Sequence, residues 1–104
     1  MSFPSERIQE LKQKHGDLRQ LTAEGHSIIV RRPSEVEWER HVAMVMDPAR
    51  RGQAPRALVE SVTVLTEGAP ISSILSKLPG LAQAFAAEIG QYVGAGADVE
   101  KKDL

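Results

Sequence analysis

The 104-residue chain contains no cysteine, which excludes a disulfide framework, a thiolate nucleophile and a cysteine-ligated zinc or iron–sulfur centre. Aromatic residues are scarce. One Trp, one Tyr and two Phe are too few for the stacking platforms that hold single-stranded nucleic acid. No stretch approaches the roughly 18 consecutive apolar residues that span a bilayer, and residues 1–8, which include Glu6 and Arg7, lack the apolar segment of a secretory signal. The cytoplasm is therefore the expected location, with no membrane partner. Charge of one sign is also lacking: residues 1–56 carry 10 basic and 8 acidic side chains, residues 57–104 carry 3 and 6, and the sum is −1. That polarity is too mild for a polyanion-binding face, so no nucleic acid is expected. What is present, 41% hydrophobic and 26% charged residues, suits one ordinary globular domain.

Residues 4–14 place Ile8 and Leu11 at i, i+3 behind Pro4 and Ser5, a narrow-faced helix stopped by Gly16. Residues 18–22 and 26–32 flank Ala23, Glu24 and Gly25, and the second segment carries Ile28, Ile29 and Val30; together they predict a β-hairpin. Pro33 ends that strand, and Ser34 with Glu37 makes an S-x-x-E capping box for a helix. In this helix Trp38, Val42, Val45 and Met46 share one face, with Trp38 as its core anchor. Asp47 and Pro48 offer a new N-cap and first helical position, with a break in 47–65 near Pro55. Leu58, Val62 and Leu65 are its stripe, although 62–66 is β-branched enough to be extended instead. Ile71, Ile74, Leu75 and Leu78 mark a further helix, which Pro79 and Gly80 separate from the last. There Leu81, Ala84, Phe85, Ile89 and Tyr92 form a stripe widened by Ala82, Ala86 and Ala87, as in a central helix or a self-association surface. The expected fold is α+β and mostly α-helical: an N-terminal β-hairpin followed by a small bundle of about four helices. Residues 1–16 are its N-terminal helix or arm, 17–94 the single globular domain and 95–104 a flexible charged tail.

Chemistry-bearing patterns are few. His15, His26 and His41 match no metal-ligand spacing, and His41, four residues after Glu37, is placed for a helix-surface pair. No G-x-S-x-G elbow or phosphate loop occurs, and Glu35, Glu37 and Glu39 alternate around their helix instead of converging. A non-catalytic protein without cofactor or metal is expected. Arg31, Arg32, Arg50 and Arg51 are the charge concentrations able to touch a phosphate or an acidic partner.

The ordered set Val30-Arg31-Arg32-Pro33-Ser34-Glu35-Val36-Glu37-Trp38, then Asp47, Ala49, Arg50 and Arg51, then Val62, Thr63 and Val64, then Leu78-Pro79-Gly80-Leu81 resembles tail assembly chaperones of long-tailed bacteriophages and prophages. The resemblance covers about residues 17–94, the span of one small domain. It implies a non-catalytic assembly factor that coats the long helical tape measure protein and keeps it soluble until the tail tube forms. Such factors are absent from the finished particle. The tail-tube protein and a second copy of the chain are further partners on this reading. Pro33, Ser34, Glu37 and Trp38 are its structural anchor, and Leu75, Leu81, Phe85, Ile89 and Tyr92 are the expected apolar floor for a client segment. Two alternatives belong to other classes. One is a small structural virion component of the head–tail joint. The other is a helix-turn-helix DNA-binding regulator built on residues 71–93.

Overall fold

Two successive residues with left-handed backbone start the hairpin. Glu24 (φ 51°) and Gly25 (φ 75°) connect β1 (Leu18–Ala23) to β2 (His26–Arg31), the two-residue loop geometry whose twist matches that of paired strands. The register follows from it, with Ala23 opposite His26 and Leu18 opposite Arg31. A computed structural model describes residues 3–104, in the order α1 (Ser5–His15), β1, β2, α2 (Glu35–Met46), a short 3₁₀ turn (Arg51–Gln53), α3 (Ala54–Val62), β3 (Thr63–Thr66), α4 (Ile71–Lys77) and α5 (Gly80–Tyr92).

Over the described residues the fold is α+β, with five α-helices and a three-stranded antiparallel sheet in the order β1-β2-β3. The β-branched end of the 47–65 segment is strand β3: Leu65 pairs with Ile29 and Thr63 with Val30, which leaves Val64 as the extra residue of a bulge. The Thr63 hydroxyl donates to the Val59 carbonyl at 2.7 Å, beside the bond that the Thr63 N–H makes to the same oxygen, as the chain turns extended. The expected hairpin is present and helices follow it, with a third strand, β3, added to the sheet. α3 and α5 pack on each other and against β2 and β1, respectively, because Ile28 and Val30 present an apolar face that only helices are available to cover. The core joins Ile28 and Val30 to Val59 and Val62 of α3, Ile74 and Leu75 of α4 and Phe85 and Ile89 of α5. Burying each such side chain contributes about 1.5–3 kcal/mol.

The expected break near Pro55 is present: α3 starts at Ala54 with Pro55 in its first turn, where the missing N–H has no partner to lose. Asp47 and Pro48 do not start a new helix. Asp47 ends α2, and its carboxylate accepts from the Ala49 N–H at 3.0 Å in a turn. The face of α2 is also rotated from the expected one. Met44 is buried and Trp38 packs against the core, whereas Val42, Val45 and Met46 are 40%, 39% and 74% exposed. The stripe of α2 thus begins packed at Trp38 and ends in solvent.

Candidate functional site

The segment 31–38 is built as a clamp. Ser34 caps α2: its hydroxyl accepts from the Glu37 N–H at 3.1 Å, and its own N–H donates to the Glu37 carboxylate at 2.9 Å. Both halves of the capping box are present. The same carboxylate takes two bonds from the Arg31 guanidinium at 2.7 and 2.8 Å, a bidentate pair that carries geometric as well as electrostatic specificity. Arg31 donates further to the Ser61 carbonyl at 2.8 Å, one of the unsatisfied carbonyls in the last turn of α3. One side chain therefore ties the end of β2 to the start of α2 and the end of α3. The Arg31 guanidinium holds Glu37 at about 2, well below its ordinary 4.5, against the opposing effect of burial, and the Ser34 N–H adds to the lowering. Arg31 is raised in turn by its bond to Glu37.

Trp38 packs against the core and lies 5.1 Å from the His41 ring. The expected Glu37–His41 pair is not formed, because Arg31 occupies Glu37. His41 lines a small cavity between α2 and α3 with Glu37, Met44, Ala54 and Leu58, and its Nδ1 is buried without a protein partner. Pro33 is buried at the strand–helix junction.

The four arginines singled out by sequence have different positions. Arg31 is committed to the clamp and is not free for a ligand. Arg51 donates to the Val45 carbonyl at 2.8 Å, capping the end of α2. Arg50 is exposed. Arg32 donates to the Tyr92 carbonyl at 3.1 Å and lies over the Tyr92 ring at 4.5 Å. Arg19, which the sequence reading did not single out, lies over the same ring at 4.0 Å. Its signal was strand alternation: opposite Val30, it shares a face with Leu21 and Ala23.

The expected client floor is corrected. Leu75, Leu81, Phe85, Ile89 and Tyr92 are all buried, and four of them belong to the main core cluster. They hold the domain together and do not form an exposed apolar floor. Among described residues, the apolar side chains presented to solvent are chiefly on α2, with Val36, Val42, Val45 and Met46 at its surface. Val42 neighbours both Val45, three residues on, and Met46, four residues on.

No protein-family model matches the chain, and no curated protein matches it. Among solved structures, the fold is similar to that of an uncharacterised protein from Bacillus stearothermophilus, with a TM-score of 0.76, 25% identity and coverage of 91% of this chain and 99% of that one. This likeness concerns the fold and carries no activity. No helix among the described residues is long and apolar enough to cross a membrane.

Proposed function

We propose that this protein is a non-catalytic tail assembly chaperone that binds helical segments of a tape measure protein and keeps them soluble during tail assembly. The observation that supports this reading is the apolar stripe of α2, which its own domain leaves unpaired at Val42, Val45 and Met46. An amphipathic client helix docks against such a stripe through its own i, i+3, i+4 apolar residues. The clamp of Arg31, Glu37 and Ser61 would hold α2 rigid, so that the stripe is pre-organised for binding. The resemblance of the ordered motif to phage chaperones is what suggests a tape measure protein as the client. The DNA-binding reading has little support: α5 presents Gln83, Ala84, Ala87, Glu88 and Gln91 to solvent, and none of these is basic.

The test is co-expression with the cognate tape measure protein, followed by measurement of the client's soluble fraction. The wild-type chain is expected to move most of the client into the supernatant. A Val42→Glu, Met46→Glu double variant with unchanged melting is expected to leave it in the pellet. Equal activity of that variant would contradict the proposed surface, and failure of the wild-type chain would contradict the function. Presence of the protein in purified particles would favour the virion-component reading instead.

A further inference from the structure

A second surface, built on β1 and α5, has a different character. Among described residues β1 pairs only with β2, so every second residue along its ~20 Å length turns an unpaired N–H and C=O to the outer edge, a template for another strand. α5 runs beside this edge and makes it a trough. Gln20–Ala23 lie against Ala84, Phe85 and Glu88. Through Ala23 and Ala84 the trough continues to an apolar end lined by Leu78, Pro79 and Leu81. At the opposite end, next to Gln20, a cleft is lined by Lys12, Asp17, Arg19, Arg32 and Tyr92.

That end is cationic and pre-organised. Both guanidiniums lie over the buried Tyr92 ring, at 4.0 and 4.5 Å. Stacking fixes their planes and leaves N–H edges available to an acceptor. Arg32 gives one N–H to the Tyr92 carbonyl at 3.1 Å, and its ion-pair contact is a long one, 3.7 Å, with the exposed Asp17 carboxylate. No ion pair among described residues involves Lys12 or Arg19. Three cations against one carboxylate leave the cleft with a charge of +2. The rest of the trough is unsuited to a polyanion, because Glu88 lines its middle and Glu24 its far end, where successive phosphates would be repelled.

We propose that the β1 edge accepts an extended polypeptide segment as an added strand. An Asp or Glu of that segment pairs with Arg19 and Arg32, and an apolar residue four positions away seats against Ala23, Leu78 and Ala84. The spacing comes from β1 itself, since Arg19 and Ala23 are four residues apart on one face. Main-chain bonds would supply affinity, and the two ends would supply register and specificity. The inference is independent of the phage reading and of the α2 stripe.

The test is a fluorescence-anisotropy titration with an eight-residue peptide, labelled with an uncharged dye, that carries one Glu four positions from a Leu and is otherwise Thr and Val. Its Glu→Gln counterpart and a backbone N-methylated version serve as controls. The wild-type protein is expected to bind the Glu peptide about tenfold more tightly than the Gln peptide, as a charge-assisted bidentate contact requires. Arg19→Gln, an exposed substitution outside the core, is expected to erase that difference, and N-methylation to abolish binding. Val42→Glu is expected to leave all three results unchanged. Absence of binding at millimolar peptide, equal binding of the Glu and Gln peptides by wild type, or an unchanged preference in Arg19→Gln would overturn the proposal. Tighter binding of a ten-nucleotide single strand than of the Glu peptide would overturn its assignment to a polypeptide.

Discussion

Substituting Glu37 by Gln removes one charge from the Arg31 clamp and keeps an amide oxygen able to accept from the Ser34 N–H. The carboxyl of Glu37 is held at about 2 in the folded chain against an ordinary 4.5. At about 1.4 kcal/mol per tenfold change in proton affinity, that difference is worth ~3 kcal/mol. The side chains of Arg31 and Glu37 retain 24% and 18% of their exposure, so solvent screening reduces the figure to about 2–3 kcal/mol. The sign follows from proton binding. Between pH 4.5 and 2 the unfolded chain takes up the Glu37 proton while the folded chain resists it, so stability falls as the pH falls through this window. Above it the contribution is fully present. Urea unfolding followed by Trp38 fluorescence at several pH values should place Glu37→Gln about 2–3 kcal/mol below wild type at pH 7, with the gap closing as the pH approaches 2. Other carboxylates titrate in both proteins and cancel in the difference. A gap that stays constant with pH, or one below about 0.5 kcal/mol at neutral pH, would refute the clamp. Against a total of roughly 5–15 kcal/mol for a domain of this kind, the predicted effect is large.

Other perturbations separate core, turn and surface. Gly90 lies inside α5, and a Cβ there would meet Trp38 at 3.5 Å and Ala95 at 3.6 Å, which is ordinary contact. Gly90→Ala should therefore stabilise by about 0.5–1 kcal/mol through helix propensity, visible as a higher melting temperature. Glu24 holds φ 51°, a region that L-residues other than Asn and Asp resist, so Glu24→Asn should gain about 0.5–1 kcal/mol in the same assay. Phe85→Ala, which empties the centre of the core, should cost about 3–5 kcal/mol by denaturant unfolding. Val42→Glu and Met46→Glu should each change stability by less than about 0.5 kcal/mol. The reverse order would mean that α2, not α5, packs the centre.

Much of the architecture was legible because its signals are local. The hairpin turn, the Ser34–Glu37 capping box and the apolar spacing of α4 and α5 are each set by neighbours within four residues. What was not legible depends on distant partners. The stripe of Trp38, Val42, Val45 and Met46 has good helical spacing, yet its outer end has nothing opposite it, and periodicity alone cannot tell whether a face is covered. The same limit misplaced the client floor. Leu75, Leu81, Phe85, Ile89 and Tyr92 were seen as an apolar surface because the sheet they cover comes from residues 18–31, far away in the chain. Arg31 was read as a free charge for a similar reason, since its tie to Ser61 spans 30 positions. Arg19 and Arg32 share a partner only because α5 brings Tyr92, 60 positions beyond Arg32, to both of them.

The central claim is that this domain binds an apolar helical client on the outer end of α2. The most direct measurement is an amide chemical-shift titration of the isotope-labelled protein with a helical segment of the cognate tape measure protein. Shifts clustered on Val42, Val45, Met46 and their immediate neighbours, and lost in the Val42→Glu, Met46→Glu variant, are the predicted result. Absence of shifts at millimolar client, or shifts on other faces with α2 silent, would contradict it.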